Sequence, residues 1–467
     1  MEIRKLHELF MKSCGVCTDT RKIEKDSIFF ALRGENFNGN SFAGKAIESG
    51  AMYAVMDDKE LYDKTVNSNP SLYKERIILV DNVLVSLQQM ARYHRLGYRI
   101  PVIAITGTNG KTTTKELITA VLSTKYRVVA TKGNLNNHIG VPLTLLGIDS
   151  NTEVAVIEMG ASAPGEIKML AEIVCPSFGL ITNVGKAHLL GFGSFEGVKR
   201  TKGELYENLQ EHKRIAFVNV DNENLLGMLN SYPNLHIVPY GVRNNCAKIV
   251  EEEGNPYLNM VITNPDVKDA SGYVKNGFGT TEIEVRSKLI GSYNADNVMA
   301  ALCVASYFNV SAKEAVKAIE DYVPSNNRSQ LTRTGRNLLI VDAYNANPTS
   351  MRASIENFSR LQFPHKVLIL GDMLELGADS VAEHRKILEF ALSVKAEKIY
   401  MVGEEFRKAA EMVKESGDIA GEMDGKTEFF ADSKLLKEFF EKNPPLEKTF
   451  LIKGSRGTRL EIIIETL

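Results

Sequence analysis

Most of this chain is built on one alternation: a short, mainly apolar run, then a stretch long enough for a helix, then another apolar run. Val102-Ile103-Ala104-Ile105, Val154-Ala155-Val156-Ile157, Phe178 to Val184 and Ile215 to Val218 form one series. Leu338 to Val341, Val367 to Leu370, Ile399 to Val402 and Phe450 to Ile452 form a second. A strand that is apolar at every position has no solvent face. Both of its sides must be covered, and the intervening helices are what can cover them, so the pattern predicts two α/β units built on parallel sheets. The strands also end alike, at Thr106-Gly107, Glu158, Asn183, Asn219, Asp342, Gly371-Asp372, Gly403 and Lys453-Gly454. Parallel sheets bind ligands outside the carboxyl ends of their strands. Loops need polar residues in any case, so this regularity alone leaves function open.

The 467 residues suggest about three domains at roughly 100–200 residues each. The expected division is 1–98, 99–323 and 324–467. The first zone has an apolar run at Ser27 to Leu32, a polar glycine-rich loop from Arg33 to Asn40, and a helix-like stretch at Val83 to Arg95. Late in the second zone the texture changes to TEIEVRSKLIGSY, which predicts antiparallel strands, and Asn294 to Phe308 then reads as a helix. The stretch Val323 to Arg328 reads as a linker into the third zone. Formal net charge is −2, with signs mixed along the chain, so no broad positive field for nucleic acid exists. No apolar run approaches the ~20 residues of a membrane span, and the start MEIRKLHELF lacks a secretory pattern. A cytoplasmic location is expected. The five cysteines are scattered, and the lone Cys14–Cys17 pair has no second ligand pair at metal-binding spacing, so these read as incidental thiols.

The sharpest local signal is Thr106-Gly107-Thr108-Asn109-Gly110-Lys111-Thr112-Thr113, set between a strand and a helix. Glycines let successive N–H groups face one point, and the helix N-terminus adds partial positive charge. Lys111 can reach the terminal phosphates, and the Thr112 hydroxyl can ligate Mg²⁺. A full Walker A motif needs glycine where Ile105 stands. This shorter form counts against an ordinary P-loop GTPase or kinase.

Other residues are weaker alone. Glu158 and His188, each following a strand, could hold a metal or position phosphate oxygens; either could equally be a cap. Lys202, in KRTKGEL, is a solvated lysine or a carbamoylated metal ligand. The second needs a neutral amine, hence a pKa lowered by burial or nearby positive charge. Asn294 and Asn297, three apart at a helix start, could read an adenine edge, and Asn294 could cap the helix. Arg328 and Asp342 could clamp a nucleotide from another domain.

Taken together, GTNGKTT, ITNVGKAH, KRTKGEL, GSYNADN and KGSRG resemble the Mur ligases of bacterial cell-wall synthesis, in order and over essentially the whole chain. VDAYNANPTSM, LGDMLELG and GNLNNHIGVPLTLL resemble the branch of that family that adds D-alanyl-D-alanine. The resemblance implies an N-terminal UDP-binding domain, a central P-loop-type ATPase domain with a parallel sheet, and a Rossmann-like C-terminal domain. It implies ATP, two Mg²⁺ ions, an acyl-phosphate intermediate, and UDP-N-acetylmuramoyl-tripeptide and D-alanyl-D-alanine as substrates, on a protein expected to be a monomer. It assigns Gly107, Thr108, Asn109, Gly110, Lys111, Thr112 and Thr113 to the ATP phosphates, and Asn294, Asn297, Arg328 and Asp342 to the nucleotide. Thr112, Glu158, His188 and carbamoylated Lys202 become metal-site residues, with Lys111, Glu158, His188 and Lys202 catalytic. Thr20, Arg21, Arg33, Gly34 and Asn38 match the UDP site, although Asn38-Gly39 stands where the family has Asp-Gly. Asn345, Lys453 and Ser455 face substrate by the same comparison. A folate-polyglutamylating relative is the nearest rival, disfavoured by the UDP-like first zone. A nucleotide-driven binding switch, with no covalent product, is the rival of another class.

Overall fold

The computed structural model describes residues 2–35, 37–263, 278, 282–324, 328–416, 423 and 425–467. Residues 325–327 of the expected linker, Asn36 of the expected UDP loop, and the start of the alternating stretch at 280–281 lie outside the described residues.

The apolar runs become strands as their patterning requires. In the first zone, Val16–Cys17, Ile28–Phe30, Tyr53–Met56 and Ile77–Leu79 pair in that order, all parallel. The helix Val83–Gly97 closes this zone. Its Val83, Leu87, Met90 and Ala91 share one core with Leu6 and Phe10 on one side and with Val102, Ala104, Val141 and Leu145 of the next zone on the other.

The central sheet has the order His236–Tyr240, Ile215–Asn219, Phe178–Ile181, Val102–Thr106, Val154–Glu158, Val128–Ala130. Every pairing in it is parallel. Val102–Thr106 is buried at all five positions, as a strand covered on both faces must be. It lies between Phe178–Ile181 and Val154–Glu158, so its carboxyl end opens between two neighbours whose own ends carry Asn183 and Glu158. A three-stranded sheet of Ala247–Val250, Tyr257–Ile262 and Ile283–Ile290 is antiparallel, as the alternation predicted. Inward and outward residues alternate along Ile283–Ile290.

The third zone holds a second six-stranded sheet, in the order Gln330–Arg333, Leu338–Asp342, Thr449–Lys453, Lys366–Gly371, Lys398–Val402, Thr427–Phe430. Only its first pairing is antiparallel among the described strands. Asp342 and Lys453 are register partners at the ends of adjacent strands. Among the described residues no helix is long and apolar enough to cross a membrane.

Candidate active site

The glycine-rich loop expected to hold phosphates leaves Val102–Thr106 and enters the helix Lys111–Ser123. Two glycines are required there. Gly107 sits at φ +140°, and a Cβ on it would lie 2.0 Å from Thr182 Oγ1; Gly110 sits at φ +78°, where a Cβ would lie 2.6 Å from Asn297 Oδ1. Between them, the neighbouring strand end holds Asn109. Its N–H donates to Asn183 Oδ1 (3.0 Å), and its carbonyl accepts from Thr182 Oγ1 (2.7 Å) and Asn183 Nδ2 (3.0 Å). Lys111 folds back, its Nζ donating to the Gly107 and Thr108 carbonyls at 2.9 Å each. Burial, opposed by the nearby Glu158 charge, lowers its pKa.

Thr112 Oγ1 donates to Glu158 Oε2 at 2.8 Å, and Asn136 Nδ2 donates to Glu158 Oε1 at 2.8 Å. Glu158 is 1% exposed, and these donors occupy both of its carboxylate oxygens. Lys202 lies on the helix Phe195–Glu211 and is 2% exposed. Burial first, and then the charge on Lys111, lowers its pKa to about 7. The condition for a carbamoylated lysine, a neutral amine near pH 7, is therefore met by its surroundings.

The other wall comes from the C-terminal zone. The Arg328 guanidinium lies 3.7 Å above the Tyr344 ring, and its Nε is buried with no hydrogen-bond partner among the described residues. That leaves a donor for a ligand. Asp342 accepts from Lys453 Nζ at 2.5 Å and from Ser354 Oγ at 3.0 Å. Lys453 is 2% exposed, so the pair neutralises a buried cation. Ser455 accepts from Leu374 N–H at 2.9 Å and donates to the Ala346 carbonyl at 3.3 Å, pinning loops rather than facing the cavity.

A cavity of about 690 Å³ lies between these walls. The expected residues Thr108, Asn109, Gly110, Lys111, Thr112, Thr113, Glu158, His188, Asn294, Asn297, Arg328, Asp342, Asn345 and Lys453 line it. Gly107, Lys202, Ser455, Thr20, Arg21, Arg33, Gly34 and Asn38 do not. In the N-terminal zone, Asp19 accepts from the Arg21 N–H and guanidinium. Arg33 pairs with Asp57 (3.0 Å) and Asp58 (3.4 Å), and Asn38 Oδ1 accepts from the Asn40 N–H at 3.1 Å.

Two expectations fail. Ser455, expected to face substrate, is turned away because its hydroxyl is held by the Leu374 N–H and the Ala346 carbonyl. Asn294 stands at the N-cap position of the helix Ala295–Tyr307, but its side chain makes no capping hydrogen bond. A short 3₁₀ turn, Ser292–Asn294, precedes that helix, which points the Asn294 amide inward. Its Nδ2 donates back to the Ile290 carbonyl, and its Oδ1 accepts from Asn297 Nδ2, both at 2.8 Å. Asn297 Oδ1 also accepts from Thr114 Oγ1 at 2.9 Å. Part of each amide's bonding capacity thus goes to the Ile290 carbonyl, to the other amide and to Thr114 rather than to an adenine edge.

Several site residues escaped the sequence reading. Asn136 lies in a stretch noticed only for its likeness to other chains, and Asn183 was marked only as a strand end. Glu375 contacts His188 across the domain boundary, and that contact holds the Glu375 carboxyl below its usual pKa. Both residues have left-handed backbones, at φ +50° for His188 and +70° for Glu375. Such strain gathers at functional sites.

Comparison with known proteins agrees with this geometry. The chain matches the Mur ligase middle domain over residues 105–305, the Mur ligase glutamate ligase domain over 327–456, and the catalytic domain of the Mur ligase family over 13–95. It is 35% identical to the UDP-N-acetylmuramoyl-tripeptide–D-alanyl-D-alanine ligase of Bacillus subtilis (strain 168), covering 97% of this chain and 93% of that protein. It is 30% identical to the enzyme of the same name from Escherichia coli (strain K12), again covering 97% and 93%. Its structure superposes on a crystal structure of MurF from Acinetobacter baumannii with a TM-score of 0.80 at 27% identity, covering 99% and 97% of the two chains. A MurF ligase from Thermotoga maritima, solved in complex with ADP, shares the fold at TM-score 0.79 and 24% identity, covering 98% and 97%. With three domain signatures in order and relatives matched over nearly their full length, the chain belongs to the Mur ligase family, in its UDP-N-acetylmuramoyl-tripeptide–D-alanyl-D-alanine ligase branch.

Proposed function

We propose that this protein uses ATP to join D-alanyl-D-alanine to UDP-N-acetylmuramoyl-tripeptide, through an acyl phosphate, in the synthesis of a peptidoglycan precursor. The observation that carries the reading is the shared cavity. A phosphate loop with Lys111 on one side faces Arg328, Asp342, Asn345 and Lys453 of another domain on the other. Such a cleft suits a reaction between a nucleotide and two further substrates, and the Bacillus subtilis and Escherichia coli relatives carry the name of that activity.

The chemistry follows from the groups present. A carboxylate resists attack by an amine because it is a poor electrophile. Transfer of the terminal phosphoryl of ATP to a carboxylate oxygen turns that oxygen into a leaving group. This transfer depends mainly on positioning and charge stabilisation. Residues Gly107 to Thr113 cradle the phosphates. Lys111 exchanges its two carbonyl partners for phosphate oxygens, and Arg328 presents its free Nε–H. Asn294, Asn297 and Asp342 sit toward the rest of the nucleotide. The dipeptide amine then attacks the acyl carbon, and the C–O bond to phosphate breaks. Asn345 and Lys453 build the wall on the amine's side, and Ser455 holds the loops behind them. Closure of the two domains keeps water from intercepting the acyl phosphate.

The donor set fits magnesium once Lys202 is modified. Among the described residues no three His, Cys, Asp or Glu side chains converge as a ready cage. Thr112 and Glu158 offer oxygens 2.8 Å apart, and a carbamate on Lys202 adds a second carboxylate of the kind Mg²⁺ prefers. Two Mg²⁺ ions held by Thr112, Glu158, His188 and carbamoylated Lys202 would neutralise phosphate charge there. Residues 1–98 hold the UDP end through Thr20, Arg21, Arg33, Gly34 and Asn38; 99–323 bind ATP; 324–467 bring the dipeptide. The enzyme acts as a monomer in the cytoplasm.

The test is phosphate release from ATP in the presence of UDP-muramoyl-tripeptide, with D-alanyl-D-alanine, D-alanine or glutamate added in turn. Release that rises only with the dipeptide fits the reading. Release indifferent to all three acceptors points to a binding switch and ends it.

A further inference from the structure

A second feature of the cleft concerns how the two domains hold each other. Asn347 Nδ2 donates to Asn109 Oδ1 at 2.7 Å, and Asn109 Nδ2 returns a longer contact to Asn347 Oδ1 at 3.5 Å. The two residues lie 238 positions apart in sequence. Asn109 is the middle of the phosphate loop, and its peptide is already held on both sides by Thr182 and Asn183. Its side chain is what the loop extends toward the other domain. Asn347 ends the segment that brings Asp342, Tyr344 and Asn345 to the cavity, and it caps the helix Pro348–Arg360, with Oδ1 accepting from the Ser350 N–H at 2.9 Å. It is 6% exposed.

An ion pair, Lys186–Glu383, and the polar contact His188–Glu375 join the same domains nearby. Each has one partner about half exposed, Lys186 at 48% and Glu375 at 57%. Solvent and salt weaken such pairs. The amide pair carries no net charge, and its Asn347 end is buried, so salt leaves it intact. It also connects the phosphate loop directly to the ligand-facing segment, which neither of those contacts does.

We propose that Asn347 is a positioning residue for the ligase reaction: through Asn109 it sets the register of the C-terminal ligand-facing segment against the phosphate loop when the domains dock. This rests on the ligase reading above. Because the loop's own backbone is held from within the central domain, nucleotide binding does not depend on the pair; turnover does.

Two replacements separate positioning from folding. Asn347→Ser keeps a helix cap of comparable strength but is too short to reach Asn109, whereas Asn347→Ala loses both cap and contact. Both variants should lower kcat about 3- to 10-fold, the range that the net worth of one hydrogen bond allows. The KM for ATP should stay within about twofold, because Thr182 and Asn183 hold the loop without help from Asn347. Only Asn347→Ala should lower the melting temperature. Asn109→Ala combined with Asn347→Ser should lose no more than Asn109→Ala alone, because the contact removed by the second change is already gone. A kcat for Asn347→Ser within about twofold of the parent, or losses that multiply in the double variant, overturns the proposal while leaving the ligase reading standing. A parent enzyme that shows no dipeptide-dependent phosphate release overturns the ligase reading and this proposal with it.

Discussion

Lys202 should take up carbon dioxide, and its surroundings set the size of the effect. Burial, reinforced by Lys111, brings its pKa from 10.5 to about 7. At pH 7 about half of such amines are neutral, against roughly 3 in 10⁴ for an unperturbed lysine. Only the neutral amine attacks CO₂, shedding a proton as the N–C bond forms, so the carbamate is favoured by a factor on the order of 10³ over an exposed lysine. The same shift enters stability. The folded-state pKa lies below the unfolded one, so between about pH 7 and 10.5 the unfolded chain binds more protons, and stability rises with pH through that window. At pH 7 the unmodified amine costs roughly 4–5 kcal/mol relative to high pH. A carbamate beside Lys111 replaces that repulsion with an attraction. The assay is ¹³C NMR of protein equilibrated with [¹³C]bicarbonate near pH 8. A carbamate resonance should appear and should be missing from Lys202→Ala. Activity lost on CO₂ removal at low pH should return in part with bicarbonate. An unmodified amine at position 202 in fully active, bicarbonate-equilibrated enzyme would refute the reasoning.

Other expectations follow from single contacts. Lys111→Ala should cost at least ~10²–10³ in turnover; near-normal phosphate release with all substrates present would contradict its role. Gly110→Ala must fit a Cβ 2.6 Å from Asn297 Oδ1 at φ +78°, and should destabilise the central domain by about 1–3 kcal/mol in a denaturant melt while sharply weakening nucleotide binding by calorimetry. Asp342→Ala strands the Lys453 ammonium, which is 2% exposed. A loss of about 3–5 kcal/mol is expected, with the added change Lys453→Met recovering most of it.

Much of this architecture could be read from residue order because its causes are local. The wholly apolar runs at Val102 and Val154 could only be strands covered on both faces, and they are. The phosphate loop was legible because glycine, lysine and threonine each have a distinct job at a strand-to-helix turn. Lys202 stood out only through the likeness of KRTKGEL to the family, because its burial and the proximity of Lys111 are tertiary facts. Asn294 misled because Asn before an apolar helix is an ordinary cap, and nothing in its neighbours announced the 3₁₀ turn that redirects its amide. The contacts between domains, Asn109 with Asn347 and His188 with Glu375, were out of reach. They depend on how two separate cores dock, which no local pattern records.

Isotope transfer tests the central claim most directly. UDP-muramoyl-tripeptide labelled with ¹⁸O in its reacting carboxylate is turned over with ATP and D-alanyl-D-alanine, and the released inorganic phosphate is weighed. If the carboxylate oxygen accepts the terminal phosphoryl in the cleft around Lys111, each phosphate formed carries one ¹⁸O atom away from the new amide. Phosphate free of label, alongside a completed peptide bond, would mean that the acid is never phosphorylated.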